Sequence, residues 1–241
     1  MMYINSNILF KSYCPINDKI GILIPTVAQV LDQEQEYYGL VSSLTAMPID
    51  LMVQLDDAGI DFTKITEYEL FQALFMGIRE QDTHLIFGDL DLTKFEPGIN
   101  PQNNTFVFYD EENDIVIDEA IYVAIAETLR KIHHLEKNIR KPGNIEGQMY
   151  MLQKERKRLK KLKNKPYKSS LEPLIIAMVN TAEFKYDFES VQNLTIFQFN
   201  ESVRQVIHKI DYDNRMFGIY SGTVSATDIP KKDLTWIPQD K

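Results

Sequence analysis

Residues 153–168 read QKERKRLKKLKNKPYK, and from residue 154 onward nine Lys or Arg stand against one acid, Glu155. The whole chain of 241 residues carries 26 basic and 35 acidic side chains, which leaves 17 against 34 outside this stretch. A concentrated positive hinge therefore joins two acidic portions. Upstream of it, from Ile145 to about Lys163, the only apolar stripe is Met149, Leu152, Leu159 and Leu162. A helix with so little apolar surface is expected to stand mostly in solvent, and Pro166 forbids its continuation. The reading that follows is an α+β, mostly helical protein in three parts. These are an N-terminal mixed domain with short β-hairpins (1–140), a basic helical connector (141–168) and a C-terminal helical lobe with a polar tail (169–241).

Working back from the hinge, Asp118 is placed to cap a helix running to about Lys137, with Ile121, Ile125, Leu129 and Ile132 at helical spacing. Residues 83–118 carry β-branched and aromatic runs of strand length at 85–87, 105–109 and 115–117, separated by polar turns and by the Pro97-Gly98 breaker. The last two runs flank Asp110-Glu111-Glu112-Asn113-Asp114 and predict a hairpin. Thr66-Glu67-Tyr68-Glu69 is a capping box, with Ile65 and Leu70 as its hydrophobic staple. Residues 37–45 and 48–57 predict two further helices, the second closed by Gly59. Pro25-Thr26 opens a helix before Val27, Val30 and Leu31, and the apolar runs 8–10 and 20–24 predict a pair of short strands.

Working forward, Ser170 and Pro173 open a short apolar helix through Leu174, Ile175, Met178 and Val179. Thr195-Ile196-Phe197-Gln198 is a second capping box, stapled by Leu194 and Phe199. Phe199, Val203, Val206, Ile207 and Ile210 continue at helical spacing to about Phe217, where Gly218 is expected as the terminating glycine. The tail holds the sole tryptophan, Trp236; part of it is expected to dock and its end to fray.

Chemistry is sparse. His133 and His134 are adjacent, about 100° apart on a helix, and His84 and His208 lie elsewhere; no HExxH motif or cysteine cluster accompanies them. Asp110–Asp114 has the acid density of a calcium loop, but Ile115 and Ile121 occupy the positions of its glycine and bidentate glutamate. Cys14 beside Pro15 reads as a buried thiol. The ten glycines make no phosphate loop or dinucleotide fingerprint. No catalytic, metal-binding or cofactor-binding residue is assigned, and an enzyme is not expected. The N-terminus lacks the layout of a signal peptide, no apolar run approaches the roughly 20 residues of a membrane span, and a cytosolic protein is expected. The excess of acid argues against wholesale affinity for nucleic acid or anionic membrane. The basic stretch, with Arg156, Arg158, Lys160 and Lys161 spread round a helix, reads either as a solvated helix neutralising its own acidic chain or as an electrostatic handle for phosphates or for an acidic partner. Stacking aromatics are lacking there except for Tyr167, which disfavours single-stranded nucleic acid.

Four features taken in order carry a resemblance: a β-turn into Ile24-Pro25-Thr26-Val27, the Lys/Arg-rich helix, the apolar helix at 174–179, and Asn193-Leu194-Thr195-Ile196-Phe197-Gln198-Phe199 leading to Tyr212. Together they resemble proteins of the tail-morphogenesis clusters of bacteriophages and prophages of Gram-positive-type hosts. About 80 C-terminal residues carry most of the likeness, and region 80–140 departs from it. The resemblance implies a tail assembly chaperone in the host cytoplasm. Such a protein binds the long helical tape-measure protein and helps tail tube subunits gather on it. A structural virion component of tail or baseplate is the alternative, and a nucleic-acid-binding accessory protein a third. A client groove is expected between the helix of 195–217 and its neighbour at 171–182, with Phe197, Phe199 and Val203 in contact, although the same apolar faces also suit a simple helical core.

Overall fold

A computed structural model describes residues 7–163 and 165–237. The expected fraying of the chain end beyond residue 237 lies outside the described residues. The chain is α+β and mostly helical. Its first strands are β1 (Tyr13–Pro15) and β2 (Gly21–Leu23), paired antiparallel. The first of them starts beyond the apolar run at 8–10: Ile8 is a buried core residue, and Leu9 and Phe10 form an exposed turn. Asn17 closes the hairpin by accepting from the backbone N–H of Lys19 and Ile20. Cys14, at the middle of β1, is fully buried.

Two helices follow, α1 (Val27–Asp32) and α2 (Glu34–Thr45). The single helix expected over 48–57 is instead a 3-10 turn, Pro48–Leu51, running into α3 (Met52–Asp57). Gly59, at φ +74°, ends it as expected. The Thr66 capping box forms in full and opens α4 (Glu67–Arg79). That helix runs through Gly77 to Arg79.

Residues 85–87 are a correction. They belong to the one-turn helix α5 (His84–Phe87), not to a strand. Asp82 accepts from His84 N–H and Thr83 O accepts from Ile86 and Phe87, so local bonding captures the backbone. Gly88, at φ +63°, then ends the turn. Pro97-Gly98 is a second correction, because these residues sit inside a strand. The sheet is β3 (Glu96–Ile99), β4 (Phe106–Asp110) and β5 (Ile115–Ile117), antiparallel in that order, with Pro97 opposite Phe108. Because β3 is the edge, Pro97 can lack a donor without breaking a ladder. Gly98 lets the Tyr109 ring lie over the backbone: a Cβ there would stand 2.7 Å from that ring. The β4–β5 hairpin forms where the sequence put it.

Asp118 accepts from Ile121 N–H at 2.8 Å and caps α6 (Glu119–His133), which ends in a left-handed His134 instead of reaching 137. Next come α7 (Ile145–Leu162), α8 (Leu171–Val179), the single turn α9 (Phe188–Val191) and the long α10 (Ile196–Tyr220). As anticipated, α7 has no buried residue. Two stripe members are corrected: Met149 and Leu162 are exposed, and Met151 joins Leu152 in covering a small apolar cluster of Ile49, Leu55, Phe62 and Leu70. The cap expected from Ser170 is also different. Ser170 makes no side-chain cap, whereas Ser169 Oγ accepts from Glu172 N–H, and Glu34 of α2 accepts from Ser170 N–H and Leu171 N–H.

The main core is one cluster of buried side chains from Ile8 to Val206, shared by the sheets, α1, α2, α4, α6, α8, α9 and the start of α10. Its centre is aromatic: Phe75 stacks on Phe108 at 3.8 Å and Phe71 on Tyr122 at 4.3 Å. The two Thr-x-x-Gln caps meet in this core. Thr26 and Thr195, each at the start of its helix, form an antiparallel bridge. Val27 N–H donates to Leu194 O, and Ile196 N–H donates to Pro25 O. Each segment thus supplies backbone partners for the other while its own Gln side chain (Gln29, Gln198) closes its cap.

Candidate functional site

A large open groove of about 1190 Å³ runs along the outward face of α6. The residue spacing explains it. The inward face of α6 is spent on Tyr122, Ile125, Ala126, Leu129 and Ile132, all buried. Its other side carries Ala120, Val123 and Ala124, small or apolar residues, with Glu127 and Lys131 one and two turns beyond Val123. Opposite stands the first part of α4, and the floor between them is Tyr68 and Phe106. Tyr68 holds the walls together by donating its hydroxyl to Phe106 O at 3.0 Å, with Ile117 O at 3.3 Å. Burial pushes the Tyr68 phenol well above its ordinary value, so it stays a neutral donor.

The rim is acidic. Glu69, Asp118, Glu119 and Glu127 line the groove, against Lys131 alone among the cations. Glu69 and Asp118 also close their helix caps, which fixes their positions. Glu127 belongs to an ion network at one end. The buried Arg130 bonds Glu67, Glu127 at 3.1 Å and the carbonyl of Thr45 at 2.7 Å, and Lys137 reaches Glu67 at 3.2 Å and Glu127 at 2.6 Å. Burial acts to raise the Glu127 carboxyl, but Lys137 and Arg130 outweigh it and hold it below the ordinary value. The arrangement offers an apolar trough with a fixed negative border. It suits a peptide segment with greasy residues and positive flanks, through area and charge complementarity.

The residues singled out in the sequence lie elsewhere. Phe199 is fully buried and Phe197 is buried beside it, while Val203 is half-buried against the same core. The expected open groove between α10 and α8 is therefore absent at these residues, because they seal α10 onto the protein's own body. Arg156, Arg158, Lys160 and Lys161 are exposed on α7. Arg156 bridges Asp56 and Asp57 at the end of α3, both at 2.6 Å, and Arg158 is bound by Glu155. Arg156 thus meets acids of another element, whereas Arg158 is paired with the acid inside the basic stretch itself. The α6 groove was missed, though a signal for it existed: α6 is apolar or small on two faces, more than one core contact needs.

Among the described residues no three His, Cys, Asp or Glu side chains are grouped to hold a metal ion, and no helix is long and apolar enough to cross a membrane. Residues 160–239 match the family model of the YomV second domain. That family is phage-derived, of the Bacillus prophage type, and the match supports a phage origin for the chain. It covers the end of α7, then α8, α9, α10 and the tail, one third of the sequence and the same stretch that carries most of the resemblance to tail-morphogenesis proteins. No curated protein and no solved structure matches the chain.

Proposed function

We propose that this phage protein is a non-enzymatic tail assembly chaperone of the host cytoplasm that holds a positively flanked apolar segment of the tape-measure protein in the α6 groove. One observation carries the reading: a large, open, apolar-floored trough whose border is acidic, on a helix whose inward face is already taken up by the protein's own core. The phage-derived family match and the ordered resemblance to tail-morphogenesis proteins supply the context. Net charge of −9 keeps such a binder soluble while its greasy trough is unfilled. No bond is made or broken in this role; binding a client segment lowers the concentration of aggregation-prone helix until tube subunits replace the chaperone.

The test is co-expression with the long helical tape-measure protein. The client is expected to become soluble and to co-purify, and the double variant Glu119→Lys with Val123→Arg, which reverses one border charge and blocks the trough, is expected to lose it while retaining the wild-type circular dichroism spectrum. Undiminished capture by the variant would remove the groove from the reading. Mass spectrometry of purified particles addresses the role itself: a chaperone is absent from finished virions, and stoichiometric presence would favour the structural alternative.

A further inference from the structure

Beyond Val206 the helix α10 leaves the body, and its two sides differ. One side is covered by the returning tail: Gln205 Nε2 donates to Trp236 O at 2.9 Å, His208 Nε2 meets Thr235 O at 3.1 Å, and Arg215 lies 3.8 Å from Asp233. The reversal at the tip is a Schellman turn. Gly222, at φ +75°, donates its N–H to Ile219 O, and Thr223 N–H donates to Gly218 O. This corrects the role expected of Gly218. It does not end the helix but lies inside it, and a Cβ there would come within 3.1 Å of Val224 where the tail returns.

The side away from the tail is open and periodic. Val203, Ile207, Ile210, Asn214 and Phe217 follow one another at spacings of four, three, four and three, the a/d pattern of a coiled coil. Val203 seats the start of the stripe against the body, while Ile207 is 60% exposed, Phe217 77%, and Ile210 and Asn214 are exposed between them. In this register Ile207 and Asn214 take the a positions and Ile210 and Phe217 the d positions. An isolated helix has no use for such a seam facing water.

The geometry points to a second copy of this chain as the occupant: two arms pair in parallel along Val203–Ile207–Ile210–Asn214–Phe217, with the two Asn214 amides facing each other. Two observations select this partner over an unrelated helix. A single asparagine at an a position pairs with its own copy and specifies two parallel strands in register. Covering Ile207, Ile210, Phe217 and the neighbouring Tyr220 removes on the order of 500 Å² per copy, or about 1,000 Å² for the pair, the threshold at which specific interfaces begin. The charges beside the seam do not oppose it, since Asp211 is held by Arg215 and Asp213 by Lys209 within each arm. An interface this size gives a reversible dimer. Because the seam lies on α10 and the groove on α6, dimerisation is independent of client capture.

Sedimentation velocity on the full chain from about 1 to 200 μM tests the proposal, with a monomer–dimer equilibrium of Kd on the order of 10 μM expected. Ile207→Asp with Phe217→Asp is expected to remain monomeric throughout with an unchanged circular dichroism spectrum, both sites being exposed in the monomer. A wild-type chain monomeric at 200 μM, or a dimer indifferent to this double variant, would overturn the proposal; so would a monomer whose arm is instead occupied by a helix of another tail protein. Asn214→Cys in a Cys14→Ser background reports the register. Oxidation should link two copies through residue 214, whereas a dimer that fails to cross-link there would refute parallel pairing.

Discussion

Glu34 shows how much one side chain can organise. It is buried at the start of α2, yet it accepts from Ser170 N–H at 2.8 Å, Ser170 Oγ at 3.0 Å and Leu171 N–H at 2.9 Å, so a carboxylate in the N-terminal half caps the first helix after the basic stretch. Burial works to raise its pKa, but the Ser169 hydroxyl, the backbone N–H groups of Leu171 and Ser170 and the Ser170 hydroxyl together bring it down to about 2. Folding therefore favours the ionised form. The stabilisation, roughly 3 kcal/mol for a shift of that size, is complete above pH 4.5 and drains away as pH falls toward 2. Glu34→Gln should cost stability at pH 7 in urea unfolding, and its deficit against wild type should narrow by pH 3; a constant deficit would show that the charge is not the cause. His133 acts in a higher window. Burial, with the neighbouring His134, lowers its pKa to about 4, and its Nε2 sits 2.9 Å from the Tyr37 hydroxyl. Between pH 6.5 and 4 the unfolded chain binds a proton that the folded one refuses, so stability declines as pH drops through that range, by up to about 3 kcal/mol. His133→Gln should flatten that segment of the stability–pH curve; an unaltered slope would assign it to other groups.

At the scale of elements, the caps were legible and the long-range pairings were not. Thr66 with Glu69 and Thr195 with Gln198 are local devices, written within four residues, and both form. The hairpin of β4 and β5 was legible for the same reason. The run at 85–87 misled because its β propensity is overruled by three backbone and Asx bonds within one turn. Pro97-Gly98 misled because a breaker in the interior of a sheet is tolerated at its edge, and edge position is a tertiary fact. Nothing within either segment announces that Thr26 and Thr195 meet. The bridge makes a prediction about coupling. Each Thr→Ala change removes a cap worth about 1 kcal/mol, but the two helix starts also exchange backbone bonds through Val27 and Ile196. Loosening one start loosens the other, so the double variant in urea unfolding should depart from additivity by about 0.5 kcal/mol or more. Strict additivity would mean that the bridge is held by the surrounding core and not by the caps.

At the scale of the whole molecule, the basic stretch interrupts the main core without ending it. It marks a helix with no buried residue, and beyond it the chain rejoins the same apolar cluster it left: Leu171, Ile175, Val191, Ile196 and Phe199 lie in one core with Val27, Tyr37 and Ile132. Periodicity shows that a face is apolar but not what covers it, which is why Phe197 and Phe199 suited both a client groove and a core. The arm is where the molecule's stability must differ. From Ile207 onward the only buried residue of α10 is Gly218, and the tail is joined to the helix by a few side-chain bonds and an ion pair. Elements with few buried apolar contacts open at lower free energy than the core they extend from. Trp236, the sole tryptophan, sits in that tail and is half exposed, so its fluorescence reports the arm alone while far-ultraviolet circular dichroism reports mainly the helices of the body. In urea at low protein concentration, where the arms are unpaired, the fluorescence transition should come at lower denaturant than the loss of ellipticity. At high concentration a paired arm should move the fluorescence midpoint toward the other. Coincident transitions at every concentration would mean that arm and body unfold as one unit, and the tail would then need a stronger hold than the bonds it makes to Gln205, His208 and Arg215.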